Sequence, residues 1–316
     1  MKKGYIYITL TAILFSSMEI ALKLVNQDFN PIQLTFLRFF IGSLLLFPFA
    51  VRRLKTKNIR LTVSDFRFFA LTGFICVVIS MILYQLALLY ASASIIAVLL
   101  SSITVFSVIF AFLFLDEKLH PYRLISIIIN VIGVVIIINP GNVTGSMEGI
   151  ILVLLSSAAF AAYTVIGRKR IQYYGGISLT CFSFLFGSIE ILLLILITRT
   201  YPVANFFLHN GMALFANIPL LQGINLQTAP SLIFIGVFVT GLGYMFYFLG
   251  IEATSTASGS IVFFIKPALA PILALFILKE PVTINMAMGI LIIILGSAIA
   301  FTGDERIRKI QHLQNS

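Results

Sequence analysis

Residues 84–119 read "YQLALLYASASIIAVLLSSITVFSVIFAFLFLDEKL", and residues 247–282 read "YFLGIEATSTASGSIVFFIKPALAPILALFILKEPV". The two stretches align without gaps. Tyr84 falls on Tyr247, Glu117 on Glu280 and, just beyond, Gly133 on Gly296, each pair 163 residues apart. Upstream, Gly4/Gly149, Phe15/Phe160, Thr35/Thr180 and Gly42/Gly187 match at an offset of 145. The two offsets differ by an 18-residue insertion, which falls between the seventh and eighth apolar segments. The chain therefore reads as a duplication, residues 1–140 and 141–303, followed by a short tail, 304–316.

Each copy is built to sit in lipid. The 316 residues are 60% hydrophobic and 10% charged, where a soluble domain has roughly a quarter of its residues charged. Mean hydropathy is +1.09. Apolar runs of about 20 residues recur from end to end, each long enough for a hydrocarbon core of about 30 Å. They show no period-2 alternation, so the spans are expected to be helices rather than barrel strands. The expected spans are 5–24, 33–51, 66–87, 92–115, 121–138, 148–167, 178–198, 231–250, 257–278 and 283–302. Ten spans in two copies leave five per copy, and an odd number turns the second copy upside down. The expected fold is an all-α membrane protein, ten helices as two inverted five-helix repeats around a central cavity. Inverted repeats of this kind hold a substrate near the midplane, between the halves.

The opening "MKKGYIYITLTAILFSSM" resembles a signal peptide in charge and hydropathy. No small-x-small cleavage site follows it, and it is read as the first span. Cys76 and Cys181 fall inside spans and imply no disulfide framework. The net charge of +10 is distributed by side. Sixteen Lys and Arg flank one face, and only Lys23, Arg199 and Lys279 flank the other. By the positive-inside rule both termini are cytoplasmic, in a multi-pass protein of the plasma (inner) membrane. The basic charge thus reports topology, and no nucleic-acid partner is expected. The 200–230 stretch is expected to be an outer loop with a short interfacial helix near residues 210–216. Ser126/Gly289 and Gly133/Gly296 are small residues at equivalent positions in spans five and ten, as close helix packing requires.

At the level of motifs, "LRFFIGSLLLF" (37–47), "FLDEKLHPYRLISIIINVIGVVI" (114–136) and "ILKEPVTINMAMGILIIILGSAI" (277–299) resemble the drug/metabolite transporter superfamily, in particular its EamA-type members. The paired acidic turns at Glu117 and Glu280, each followed by a Gly-containing helix, are the most specific part of the likeness. It covers nearly the whole chain. It implies an inverted-repeat bundle with a cavity lined from both halves, and a secondary carrier, often an exporter. It implies no particular substrate. In one respect the chain departs from many members: Lys266 stands before the proline of span nine, where they carry an acidic or neutral residue.

Four ionisable residues fall well inside spans: Glu19, Arg38, Glu190 and Lys266. Each costs about 2.5–3.5 kcal/mol at a bilayer centre on insertion scales, so such residues pair, face the bundle interior or mark a pathway. Their repeat counterparts, Thr164, Ser183, Leu45 and Ile103, are uncharged, so the fold does not need the charges. Glu19 either pairs with Lys23 one turn on or lies deeper as a ligand for an amine or proton. Arg38, early in span two, either snorkels to headgroups or meets substrate. Lys266 is central in its span and either binds a substrate anion or forms a buried salt bridge with Glu19 or Glu190. Pro267 and Pro271 each remove a backbone donor and are expected to open the helix as a break or gate; span four, the counterpart, has no proline. Tyr84, Gln85, Tyr163, Tyr244 and Tyr247 are expected to contact substrate, with Ser101, Ser102 and Ser260 as further polar candidates.

The expected function is secondary transport, by export, of a small amphipathic or amino-acid-like metabolite through an alternating-access cavity. Lys266, with Arg38, would meet its carboxylate and Glu19 its amine. A multidrug efflux carrier of the same fold and a non-transporting membrane protein are the competing expectations. No Walker A, HExxH or GxSxG pattern is present, and His120, His209 and His312 lie outside the spans, so no enzyme activity is expected. Neither a metal nor another cofactor is expected, though coupling to protons or to exchange is possible in principle. The expected partners are the lipid bilayer and the small-molecule substrate, in a monomer or homodimer.

Overall fold

The computed structural model describes residues 2–115, 121–138, 147–254 and 256–314. Every regular element among them is helical. Glu117, the first-half acidic turn, lies outside the described residues, and so does the side chain of Ser260. Helix α1 (Lys2–Ser16) continues into α2 (Met18–Leu24), the Ser17 and Ala21 amides carrying the hydrogen-bond ladder across the join. α3 spans Pro31–Thr56. α4 (Val63–Gly73) and α5 (Met81–Tyr90) are joined by a π-helical stretch, Phe74–Ser80. α6 (Ala93–Leu99) and α7 (Ile103–Leu115) are joined by a 3₁₀ turn, Leu100–Ser102. Then follow α8 (Pro121–Ile138), α9 (Met147–Tyr174), α10 (Gly176–Thr198) and the short α11 (Tyr201–His209). α12 (Ala229–Ile233) and α13 (Gly243–Ala253) flank a second π stretch, Phe234–Leu242. α14 (Thr256–Ile277) and α15 (Ile284–Gln314) complete the chain.

Seven of these rods are long and apolar enough to cross a membrane, and α8, α14 and α15 carry shorter apolar stretches among the described residues. Lipid explains the exposed Leu, Ile and Phe along them, such as Leu113, Phe276 and Leu291. Local sequence sets the ends. Asn30 caps α3, its Oδ1 accepting from the Ile32 amide at 2.9 Å, and the Gln33 side chain accepts from the Asn30 amide. This capping box satisfies two of the amides that a helix start leaves free, and Pro31 at the first position has none to satisfy. The same two side chains donate onward to the carbonyls of Leu214, Leu220 and Gln222. The 201–228 segment is thereby fastened over the start of α3.

Packing follows the duplication. α3 lies against α10 and α8 against α15, and each is the other's counterpart in the sequence repeat. α1 packs on α13 and α14, while α9 packs on α5 and α7. α3 meets the second π stretch, and α10 meets α4 and the first. Exchanging the two copies maps α1–α13 and α1–α14 onto α9–α5 and α9–α7, and α3 on the second π stretch onto α10 on the first. Glycine makes two of the crossings possible. A Cβ on Gly73 would stand 2.5 Å from the Ser183 carbonyl oxygen and 2.6 Å from the Gly187 nitrogen. Those obstacles are backbone and cannot swing aside. At Gly42 a Cβ would stand 2.8 Å from the Thr240 side chain, with the Gly236 carbonyl oxygen farther off at 3.4 Å. Gly73→Ala is therefore expected to cost about 1–3 kcal/mol, the usual range for overpacking, read as a lower unfolding midpoint in detergent. Gly167→Ala, whose nearest obstacle is the flexible end of Leu179, should leave the midpoint almost unmoved. Between α8 and α15, Gly133 and Gly289 similarly face each other's carbonyl oxygens, as expected of the small residues there.

Three sequence expectations need correction. The outer-loop helix is Tyr201–His209, with only a 3₁₀ turn at Ala213–Phe215, because Pro202 near the helix start favours initiation there. α15 does not stop near 302 but runs to Gln314, the helical repeat continuing past the apolar part. α14 passes through Pro267 and Pro271 without interruption, so the prolines remove donors without breaking the helix. The irregular turn lies in the proline-free counterpart of that helix, at Leu100–Ser102, whose counterparts 263–265 directly precede Lys266. There the Ser101 hydroxyl donates to the Val98 carbonyl at 2.6 Å, and Thr104 donates to the Ser101 carbonyl at 2.8 Å. Hydroxyls that compete for helical carbonyls loosen the local ladder.

Candidate functional site

Where the rods converge they enclose a cavity of about 110 Å³, measured by where the centre of a water fits. Its wall draws on both copies. Phe15, Met18, Arg38, Phe39, Met81 and Ser101 come from the first, and Phe160, Tyr163, Tyr244, Tyr247, Phe263 and Lys266 from the second. Thr164, Thr180 and Thr240 add hydroxyls. Among the described residues, none of α8 or α15 lines it. Most of the surface is aromatic or aliphatic, the usual makeup of a small-molecule site with a few polar groups fixing orientation. The aromatics lock one another: Tyr244 sits 4.9 Å from Phe15 and 5.0 Å edge-on from Phe184, and Tyr247 sits 5.9 Å from Phe263.

Two cations reach this wall, and they are held in opposite ways. Lys266 Nζ lies 2.7 Å from Glu19 Oε1, and Glu19 itself is fully buried. This is an ion pair across the copies, from α2 to α14. Glu19 has no link to Lys23. Lys23 instead donates to the carbonyls of Leu88 and Ala91 at 2.6 and 3.0 Å, closing the end of α5. Arg38 is 1% exposed and does not snorkel. Its Nη1 and Nη2 face the Met18 and Met81 sulfurs at 3.7 and 3.4 Å, and its Nε has no partner. The guanidinium carbon lies 4.5 Å from the Phe39 ring centre and 5.6 Å from that of Tyr84.

The remaining candidates divide. Tyr163, Tyr244, Tyr247 and Pro267 line the cavity, and Tyr163 OH sits 3.5 Å from Thr180 Oγ1. Tyr84 lies behind the wall, with its ring under Arg38. Gln85 is fully buried outside the lining, neither amide atom having a hydrogen-bond partner. Pro271 and Ser102 are also outside it. Glu190 is on α10, away from the cavity and not paired with Lys266. Sequence reading missed Thr164, Thr180, Thr240 and the two methionines. The repeat held a usable signal: Thr164 is the counterpart of Glu19, and Met18 and Met81 are the counterparts of Tyr163 and Tyr244.

The remaining acidic landmark does structural work. The Glu280 carboxylate accepts from the Ala93 and Ser94 amides at 2.9 and 3.0 Å and from the Ser94 hydroxyl at 2.7 Å. It thus caps α6 from across the molecule. On the opposite face, Arg53 pairs with Glu252 at 3.0 Å, and Asp65 bonds Tyr174 and Arg170. These contacts tie the two copies together beyond the cavity.

Apolar rods with a buried, charged chamber define an integral membrane protein of the transporter kind. The chain belongs to the EamA-like transporter family, which matches it twice, over residues 2–139 and 147–302. It is 38% identical to a protein of Clostridium kluyveri described as an uncharacterized transporter, over 100% of this chain and 98% of that one. A similar description goes with an Archaeoglobus fulgidus protein, 27% identical over 93% of this chain and 97% of its own length. YdfC of Bacillus subtilis, again described as an uncharacterized transporter, is 23% identical over 90% of this chain and 86% of its own. A solved crystal structure, 16% identical, superposes with a TM-score of 0.66 over 97% of this chain and 99% of that one. It is like this chain in fold.

Proposed function

We propose that the protein is a secondary transporter that exports a small amphipathic or amino-acid-like metabolite by alternating access. One observation carries this: a largely apolar cavity with buried charges, bounded by residues of both copies. In the proposed architecture ten helices form two inverted five-helix halves, residues 1–140 and 141–303, in the plasma membrane with both termini cytoplasmic. Three findings support the two-half reading. The family matches each copy separately, the π stretches fall at overlapping equivalent positions, and the packing contacts exchange in pairs. Two halves of one chain suffice for such a site, so a monomer is competent. Efflux of cationic drugs has less support, because Glu19, the only carboxylate among the described residues that pairs with a cation of the wall, is already engaged by Lys266.

Counterflow tests this. In proteoliposomes loaded with unlabelled phenylalanine or 3-phenylpropionate, the labelled compound should accumulate transiently. Thr164→Trp, which fills the cavity, should abolish that uptake while the protein still elutes as the wild type does in detergent. Equal uptake by empty liposomes, or by the filled variant, would overturn the assignment.

A further inference from the structure

We infer that Arg38 is the anchor for the carboxylate of a monoanionic substrate with an apolar body, and that a substrate amine is dispensable. This deepens the transport reading and rests on it for its purpose, but the binding can be tested alone. A buried ion carries a desolvation penalty that only a close opposite charge and full hydrogen bonding repay. Among the described residues no carboxylate lies within salt-bridge distance of Arg38. Thioether sulfur is a weak acceptor, and the two ring faces offer only a cation–π attraction. Nε has no partner at all, and the side chain borders the cavity. The guanidinium fork is the group that takes a carboxylate by two parallel hydrogen bonds.

Three features narrow the ligand. Lys266 is neutralised by Glu19, so Arg38 leaves the chamber with one unbalanced positive charge. The same pair balances the charge of the carboxylate that an amine would use, although its Oε2 has no hydrogen-bond partner. Much of the rest of the wall is aromatic, with Phe39, Phe160, Tyr244 and Phe263 placed to contact a flat apolar body. Packing does not demand the arginine, since the repeat puts Ser183 at its position and Tyr163 and Tyr244 where Met18 and Met81 flank it. The two sulfurs hold the guanidinium in place without satisfying it.

Titration calorimetry on the purified protein tests this with four matched probes: 3-phenylpropionate, its neutral amide, 3-phenylpropylamine and phenylalanine. The acid should bind, the amide and amine should not, and phenylalanine should bind no tighter than the acid. Arg38→Gln should weaken the acid by about 10- to 100-fold, as loss of a charge-assisted bond does, and Arg38→Lys should recover part of it. Arg38→Lys also serves if Arg38→Gln does not fold, since it keeps the charge, loses the fork and should bind the acid more weakly than the wild type. Unchanged affinity in a folded Arg38→Gln or Arg38→Lys, binding of the amide comparable to the acid, or tighter binding of phenylalanine would each overturn the assignment. Inorganic phosphate competing as well as the acid would overturn the apolar-body part. If the acid binds as expected but shows no counterflow, the anion site stands and the transport reading falls.

Discussion

Lys266→Leu is expected to destabilise the protein by about 3–5 kcal/mol, the cost of leaving a buried charge without its partner. The orphan would be Glu19, fully buried 2.7 Å from the lost ammonium. The double variant Glu19→Leu/Lys266→Leu should recover most of that loss, since apolar replacement of a buried pair is often neutral or stabilising. Unfolding of Lys266→Leu, Glu19→Leu and the double variant in detergent closes the cycle. A single variant as stable as the wild type would show that the pair contributes little. A double variant no better than the single would show that the cost lies in packing. The comparison also separates stability from transport: a folded double variant that still moves substrate would assign the pair a structural role, with Arg38 as the functional cation.

The second large effect is expected at Glu280. Its carboxylate accepts two backbone amides and a hydroxyl at the start of α6. Glu280→Ala should cost about 2–3 kcal/mol, in line with hydrogen bonds to a charged acceptor and with the loss of a helix cap. Hydrogen exchange at Ala93 and Ser94 should quicken locally, well before global unfolding. Exchange unchanged at those two amides would remove Glu280 from the capping role. Glu280→Gln, which keeps one acceptor oxygen, should fall between the two.

Much of this was legible in the sequence, for reasons that also explain what was not. The apolar runs and the two offsets gave the helices and the equivalences, because lipid and duplication both leave linear traces. Glu19 appeared as a possible partner of Lys266, but choosing it over Glu190 took three dimensions. Arg38 was misplaced toward the surface because depth was counted along its own helix. What buries that end is the distant 201–228 segment, fastened by Asn30 and Gln33. The prolines were legible as missing donors, yet α14 runs through both as one helix. The irregular turn arose where serine and threonine hydroxyls take carbonyls, at a spot with no proline to mark it. Tyr84 and Gln85 were read as substrate contacts at the end of span three; both are buried but lie outside the cavity lining, a distinction that position along one helix does not carry.

The packing of the two copies is paired contact for contact, whereas Glu19, Arg38 and Lys266 have uncharged counterparts. On the proposed assignment of the site, scaffold and recognition are encoded in separable residues. A lineage can exchange the charges in the chamber without renegotiating the glycine crossings that hold the bundle together. Divergence of cargo among related carriers then needs only a few side-chain replacements, each affecting one copy and leaving its twin as the structural reserve.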